Sequence, residues 1–283
     1  MKSILVPTDF SQPAQWAGEI AADIARKSGA EVLLLHIVEH PVKQSFSAEG
    51  EIDGIDDPEE KLFIFKLIER SKALLNEMAA SIRQEDVVVK PILRLGNPYH
   101  GIQTIITDFN VDLVVMGSSS THLSDISVGT NTEKVIRLSK CPVLAIHQPK
   151  KKMDFSTIVY ATSLNENEKN FSFVVKMIQE LYDSKVHLVR INTPQNFHPD
   201  KDVKSRMEKF ANKVGLQNFT LNIFNDLSEE DGIIHFAESV GADLIGMATH
   251  GRTGLAHMML GSITEDVVKH TKKPVLTFAT KEE

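Results

Sequence analysis

The chain contains an internal repeat, and this repeat constrains the fold more than any other feature. Residues 273–280 (KPVLTFAT) echo residues 141–148 (CPVLAIHQ), which lie 132 positions earlier. Upstream, residues 243–247 (DLIGM) align with residues 112–116 (DLVVM) at a separation of 131. A repeat of this length predicts two domains of the same architecture, so we interpret the chain as a tandem repeat of one fold.

The two predicted domains are residues 1–149 and 154–283, joined by a short charged linker at 150–154. At the front of each copy, Ile4 aligns with Ile158, which leaves an excess of residues in the first copy. We map this excess to an acidic insertion at 39–57, which we interpret as a long surface loop or a partly ordered lid.

Short apolar runs alternate with amphipathic stretches in both copies. The runs are rich in Val, Ile and Leu with little polar alternation, which is typical of strands buried on both faces of a parallel sheet. They are ILVP, EVLLLHIV, DVVVKPILRL, DLVVMG and PVLAI, then TIVYAT, KVHLVRI, FTLNIF, DLIGMA and PVLTF. Helices are predicted over residues 12–28, 58–84, 98–109 and 129–139 of the first copy. The fold class is therefore α/β, with two tandem doubly wound domains, each a five-stranded parallel sheet flanked by helices.

Charge and composition exclude several classes of protein. The chain carries 31 Lys and Arg against 38 Asp and Glu, a net charge of −7, whereas nucleic-acid binding needs a basic face. Its one cysteine, Cys141, cannot form an intramolecular disulfide, which points to a reducing compartment. The first apolar run stops at Asp9, too early for a signal peptide or a membrane span. We therefore expect a cytoplasmic protein with no nucleic-acid or membrane partner.

The ligand site is expected at the carboxyl ends of the strands, where successive connections pass to opposite faces of an open parallel sheet. The second copy has the more informative loop there. Gly251 and Arg252 follow its fourth strand, and Gly261 and Ser262 open its last helix. Glycine permits close backbone approach, and the unpaired N–H groups of a helix start attract an anion such as phosphate. Taken alone, the same glycines could be simple turn residues.

These residues carry a resemblance to a known family. The whole chain resembles a tandem member of the universal stress protein (UspA-like) family, a fold similar to the adenine-nucleotide alpha-hydrolases. The ATP-binding branch of that family carries G-x2-G-x9-G-[ST] after the fourth strand, and the second copy matches it from Ala248 to Ser262, with alanine at the first glycine. The PTDFS stretch that begins at Pro7 is also typical of the family. The resemblance implies a stress-response regulator that binds ATP or a related adenine nucleotide, with or without Mg²⁺.

Each copy departs from the family pattern at one end of the site. In the first copy the loop between Gly117 and Gly129 is one residue shorter and has lost a glycine. In the second copy Ser163 replaces the acid that the resemblance implies at Asp9. We therefore favour the second copy for the nucleotide. Its candidate binding residues are Thr162, Ile191, Met247, Ala248, Gly251, Arg252, Gly261, Ser262, Ile263 and Thr264. The weaker candidates in the first copy are Pro7, Thr8, Asp9, Ile37, Met116, Gly117, Gly129 and Thr130.

Other interpretations of these residues stay open. Asp9 could instead be a helix cap or an exposed acid, and both threonines could satisfy local backbone groups. The sequence shows no catalytic motif and no metal-ligand spacing, so we expect at most a slow ATPase. A protein-interaction scaffold that binds no nucleotide is the alternative.

The fifth strand of each copy is expected at a sheet edge, where an apolar strand needs a partner. We predict that these two strands pair antiparallel, so that the chain forms an intramolecular pseudo-dimer; a homodimer is a further option.

Overall fold

The structure, a computed structural model, describes residues 1–39, 58–118, 131–139, 141–147, 153–164, 169–250 and 263–280. Contacts divide the chain into two compact units, Met1–Gly117 and Ser118–Glu283. Most of the predicted insertion, at residues 40–57, and most of the predicted linker, at 150–152, lie outside the described residues.

The first unit alternates strands and helices. Its elements are β1 (Ser3–Pro7), α1 (Gln12–Ser28), β2 (Glu31–Val38), α2 (Pro58–Ile82), β3 (Val89–Leu95), α3 (Pro98–Asp108) and β4 (Leu113–Gly117). The strands are parallel and lie in the order β3-β2-β1-β4. This order places the reversal of connection direction beside β1, as a doubly wound sheet requires.

The second unit has more elements because it includes a helix and a strand from the end of the first copy. Its elements are α4 (Asn131–Leu138), β5 (Val143–Ile146), β6 (Thr157–Ala161), α5 (Lys169–Tyr182), β7 (Lys185–Asn192), α6 (Asp200–Val214), β8 (Phe219–Asn225), α7 (Glu229–Ser239), β9 (Leu244–His250), α8 (Ile263–His270) and β10 (Val275–Thr280). The strand order is β5-β10-β9-β6-β7-β8, and all neighbours are parallel except β5 and β10.

The antiparallel pairing of the two fifth strands is confirmed. Val275 lies opposite Ala145, and Thr277 lies opposite Val143. Four consecutive residues of β5 are buried, so this pairing covers an apolar strand that would otherwise expose its edge. The contact boundary at residue 117 therefore differs from the repeat boundary read from the sequence, because β5 packs with the unit that contains β10.

Helix α1 shows how the local sequence sets the elements. Ser11 caps its amino end by accepting a hydrogen bond from the Ala14 N–H, and Gly29 ends it at φ 73°. Pro13 occupies the first turn, where a missing N–H costs no hydrogen bond. The predicted bounds of α1 and β2 are both confirmed.

Three predicted strands differ from the structure by two residues or more at one end, namely at the start of β3 and at the ends of β9 and β10. The strand predicted from Asp86 begins only at Val89, because Asp86 adopts φ 67° and the Val87 N–H donates to Gln84 O, which makes a turn. The strand predicted to end at Ala248 continues to His250, because β10 supplies ladder partners as far as Thr280.

The core of each unit follows the apolar runs. In the first unit Ile4 and Leu5 of β1 are fully buried, and in the second unit Ile158 and Val159 of β6 are fully buried. Tyr160 is also fully buried, and its hydroxyl lies 3.0 Å from Ser172 Oγ, so its polar group is paired. Central strands buried on both faces explain the continuous apolar sequence of each run.

Candidate functional site

The turn after β1 is held by Thr8. The Thr8 N–H donates to Leu35 O at 2.8 Å, and the buried Thr8 hydroxyl accepts from the Phe10 N–H at 2.9 Å. The same hydroxyl donates to Met78 Sδ at 3.2 Å. Phe10 adopts φ 65°, which is costly for a residue with a side chain, and the Thr8 bond stabilises that conformation.

The turn after β6 repeats this geometry. The Thr162 N–H donates to Val189 O at 3.0 Å, and the Thr162 hydroxyl accepts from the Leu164 N–H at 2.9 Å. Leu164 adopts φ 61°. Both threonines are 7% exposed. The interpretation that they satisfy local backbone groups is therefore confirmed, and the two copies present the same backbone turn at the expected ligand edge.

The side chains around the first turn are an acid and a histidine. Asp9 is exposed, and its Oδ1 accepts from the Ser11 N–H at 2.9 Å, so Ser11 rather than Asp9 is the helix cap. His36 Nδ1 donates to Thr8 O at 2.8 Å, and its ring lies 4.3 Å from the Phe10 ring. His36 therefore positions the turn from the neighbouring strand.

Around the second turn the acid is absent and an arginine is present. Ser163 stands where the first copy has Asp9, and Arg190 stands on β7 where the first copy has His36. Arg190 is 7% exposed; its Nη1 donates to Ser163 O at 3.2 Å, and its Nη2 donates to Asn196 Oδ1 at 2.9 Å. Asn196 Nδ2 in turn donates to Glu229 Oε1 at 2.8 Å. The network ties β7 to the start of α7.

The sequence interpretation did not include Arg190. Its only sequence signal is the repeat, which places it in register with His36 inside an apolar strand. Asn196 and Glu229 carried no signal, because their contacts join residues 33 positions apart.

The fourth strands end differently in the two copies. A Cβ on Gly117 would lie 2.4 Å from the Pro13 carbonyl carbon and 2.6 Å from the Ala14 nitrogen, so only glycine fits there. Ala248 lies within β9, opposite Phe278, and is absent from the positive-φ residues of the described chain. The alanine at the first glycine position of the motif is therefore accommodated without strain.

Strand pairing brings four candidates of the second copy together. Ala161 lies opposite Met247 on one side and Val189 on the other. Thr162 therefore sits between Ala248 and the end of β7, where Ile191 lies. Met247 and Ile191 are buried, at 5% and 6% exposure, so they form the floor of this edge and not its surface.

The amino end of α8 is the other part of this edge. Ile263 is 41% exposed, whereas the Thr264 side chain is buried at 3% exposure. Within the described part of the chain, the backbone N–H groups of Ile263 and Thr264 donate no hydrogen bond, as expected for the first turn of a helix. Gly251, Arg252, Gly261 and Ser262 lie outside the described residues.

In the first copy the candidates follow the same pattern. Pro7, Ile37 and Gly117 are half-buried, and Met116 is buried. Gly129 and Thr130 lie outside the described residues.

A cavity of about 440 Å³ opens at the carboxyl ends of β7 and β8. It is a shallow depression that is largely open to solvent, unlike the enclosed clefts that bury most of a small ligand. It is lined by Asn192, Thr193, Pro194, Asn225, Asp226 and Leu227. Sequence reasoning missed this cavity, because it considered the strand ends nearer to the fourth strand.

An acid and a histidine pair beside this cavity. Asp226 Oδ2 lies 2.8 Å from His235 Nδ1. The hydrogen bond from His235, with a further one from the Leu227 N–H, lowers the pKa of Asp226, and the bond to Asp226 raises the pKa of His235. Across the described residues no group of His, Cys, Asp and Glu could hold a metal ion. The described helices also include none that is both long and apolar enough to cross a membrane.

Comparison with known proteins decides the family. The model of the universal stress protein family matches residues 1–147 and 226–278, which together are more than half of the chain. The chain belongs to the universal stress protein family. Its tandem arrangement also has relatives of matching length. Universal stress protein Slr1230 of Synechocystis is 25% identical over 98% of this chain and 100% of its own length.

A shorter relative and a crystal structure are also universal stress proteins. Universal stress protein MJ0577 of Methanocaldococcus jannaschii is 33% identical over 51% of this chain and 94% of its own length. The crystal structure of a universal stress protein from Archaeoglobus fulgidus matches 98% of this chain and 96% of that one, with a TM-score of 0.76 at 21% identity. That structural likeness supports the fold of this universal stress protein.

Proposed function

We propose that this universal stress protein binds ATP or a related adenine nucleotide, with or without Mg²⁺, mainly in its C-terminal repeat, and acts as a nucleotide-dependent regulator of the stress response. The observation that carries the proposal is the juxtaposition, in the second unit, of the Thr162 turn with the end of β9. In the sequence, residues 251–262, which include the glycines of the motif, connect β9 to the first turn of α8.

The phosphate end of the proposed site uses backbone donors. The N–H groups of Ile263 and Thr264 make no hydrogen bond within the described chain, and a helix amino end favours negative charge. Each hydrogen bond to a charged oxygen contributes about 1.5–3 kcal/mol. Three such bonds would contribute about 4.5–9 kcal/mol, which corresponds to a Kd between about 0.5 mM and just below 1 μM. The sequence adds Gly251, Arg252 and Gly261 to this end, in the spacing of the family's ATP-binding branch.

The nucleoside end is less typical of the family. Ser163 has no carboxylate to accept hydrogen bonds from ribose hydroxyls, and the Thr162 hydroxyl already accepts from Leu164. The half-buried Ala248 and the buried Ile191 and Met247 offer apolar surface for a base. We therefore expect the phosphates, not the ribose, to provide most of the affinity.

Two matched glycine variants of the full chain test the proposal. Gly261→Asp places a carboxylate where the motif holds phosphate, and Gly129→Asp makes the same change at the corresponding position of the first copy. Isothermal titration with ATP should give micromolar binding for the parent chain, a loss of roughly tenfold or more for Gly261→Asp, and little change for Gly129→Asp. Circular dichroism controls for folding.

Two results would contradict the proposal. One is no binding of ATP at millimolar concentration and no nucleotide in the protein as purified, which would favour an interaction scaffold. The other is an equal loss in both variants. Phosphate release measured on the same samples should show slow turnover at most, because the sequence offers no catalytic base.

A further inference from the structure

The outer strand β8 has an open edge that differs from the equivalent edge of the first unit. β8 is the last strand of its sheet, and β3 is the last strand of the first unit. Leu188 lies opposite Leu221, and the corresponding Leu34 lies opposite Pro91, so the two outer strands can be compared residue by residue.

The hydrogen bonds at both ends of β8 show which of its backbone groups point outward. The Val186 N–H donates to Asn218 O, and the Asp226 N–H donates to Asn192 O, both at 3.0 Å. In a parallel ladder, alternate residues bond to the same neighbour, so the even-numbered residues of β8 bond to β7. The N–H and C=O groups of the odd-numbered residues therefore point away from the sheet. These residues are Phe219, Leu221, Ile223 and Asn225.

No described residue forms a hydrogen bond with these outward groups. Beyond the ladder to β7, no backbone hydrogen bond within the described chain involves residues 219–225. The residues of β8 are half-buried, and Asn225 is exposed. The edge therefore presents four donors and four acceptors in a regular row.

In the first unit the corresponding edge, that of β3, is blocked. The Val32 N–H donates to Val88 O and the Gly96 N–H donates to Val38 O, so Pro91 is one of the outward residues of β3. Pro91 has no N–H to offer, and Lys90 and Arg94 add charge to the strand. Proline and lysine are common means of preventing an edge strand from pairing. β8 (FTLNIFN) has neither proline nor charge.

We propose that the β8 edge is an interaction surface for a second copy of this chain, which adds its own β8 antiparallel about a twofold axis at Asn222. This register places Leu221 opposite Ile223 and Phe219 opposite Asn225. All four are outward residues, so the four donors and four acceptors of each copy match those of its partner. No acid opposes another acid, because Asp226 lies opposite Asn218. A second copy therefore satisfies the edge completely, and the pairing does not depend on nucleotide.

Leu221→Pro tests the surface with the residue that the first unit carries at this position. Sedimentation velocity of the full chain should show a concentration-dependent dimer, and Leu221→Pro should weaken it by roughly tenfold or more, because two hydrogen bonds per dimer are lost. Thr220→Lys/Phe224→Arg copies the charges of β3 and should weaken it as well. This double variant decides the question if the proline variant does not fold.

A cysteine variant tests the register. Asn222→Cys places two thiols across the proposed twofold in a non-hydrogen-bonded pair, whose Cα separation suits a disulfide. Asn225→Cys is the matched control, because its two copies would lie about 20 Å apart. Under mild oxidation Asn222→Cys should form covalent dimers and Asn225→Cys should not.

The proposal is overturned by a chain that stays monomeric at all concentrations. It is also overturned by a dimer that neither Leu221→Pro nor Thr220→Lys/Phe224→Arg weakens, or by equal crosslinking of the two cysteine variants.

Discussion

The two turns at the ligand edge have the same backbone and different chemistry. In both, a buried threonine accepts from the N–H two residues later, which holds Phe10 or Leu164 at positive φ. The first turn carries an exposed acid, whereas the second carries Ser163 and is held by the buried cation Arg190. The repeat has kept the scaffold that shapes the edge and has changed the charges that a ligand meets. Similarity of fold therefore does not imply that both copies bind the same ligand.

The ends of the fourth strands also differ between the two copies, at a position where only the first copy has glycine. Gly117 resembles a ligand-loop glycine in sequence, yet in the structure its lack of a side chain is required by the backbone of Pro13 and Ala14. Ala248 occupies the corresponding place in a regular strand. A glycine in a motif can thus serve packing in one copy and be dispensable in the other.

The largest difference in the free energy of unfolding is expected between Gly117→Ala in the first copy and Ala248→Gly in the second. The added methyl group of Gly117→Ala would contact backbone atoms at 2.4–2.7 Å, and backbone cannot swing aside as a side chain can. We expect a loss of about 3 kcal/mol in the free energy of unfolding. Ala248→Gly should cost only about 0.5–1 kcal/mol. Urea denaturation followed by circular dichroism measures both, and equal losses would contradict the packing role of Gly117.

Arg190→Met and His36→Leu together compare the two residues that hold the turns. Removing the guanidinium leaves Ser163 O and Asn196 Oδ1 without their donor, so we expect a loss of about 2 kcal/mol. His36→Leu, which removes one hydrogen bond where Arg190→Met removes two, should cost about 1 kcal/mol. A smaller loss for Arg190→Met than for His36→Leu, measured by the same urea titration, would show that the arginine network does not stabilise the second turn.

Thr8→Val and Thr162→Val test whether the turns are equivalent. Each substitution keeps the shape of the side chain and removes the acceptor for one backbone N–H, so we expect a loss of about 1 kcal/mol in each case. Thermal unfolding of the two variants should give similar shifts. A large shift in only one of them would mean that the shared geometry has different energetic weight in the two copies.

The smallest effect concerns pH and two histidines of the second unit. Burial lowers the pKa of His147, with the Ser118 backbone opposing in part, so the unfolded chain binds the proton more readily and stability falls as the pH drops below about 6.5. The raised pKa of His235 acts in the opposite sense: its stabilisation is present below about pH 6.5 and is lost as the pH rises through the folded-state pKa.

His147→Leu should therefore flatten the loss of stability between about pH 7 and 5, and His235→Gln should steepen it. The first effect concerns the copy that has a histidine directly after its fifth strand, since the second copy has Ala279 at that place. Melting temperatures across this pH range provide the measurement, and slopes that change in the reverse directions would refute the assignment.

Much of the fold could be predicted from the sequence because it depends on pattern. The continuous apolar runs located all ten strands of the part of the chain that the structure describes, and Ser11, Pro13 and Gly29 mark the ends of α1. The prediction was wrong at the start of β3, where Asp86 adopts positive φ and makes a turn, so that the strand begins three residues later than predicted.

The site could be predicted less completely. The repeat and the strand order located Thr8 at the ligand edge of the first unit, and Thr162 and Ala248 at the ligand edge of the second unit. The arginine network could not be predicted, because Arg190 belongs to an otherwise apolar strand and its partner Asn196 bonds to Glu229, 33 positions further along the sequence. The depression at the ends of β7 and β8 could not be predicted, because residues from two separate segments line it.

Hydrogen exchange with and without ATP tests the central claim most directly, because it reports which copy holds the ligand in the intact chain. Mass spectrometry of peptides at saturating ATP should show slower exchange around Thr162 and at the start of α8, including Ile263 and Thr264. Peptides around Thr8 should be unchanged. Protection confined to the first copy, or none in either copy at millimolar ATP, would contradict the account.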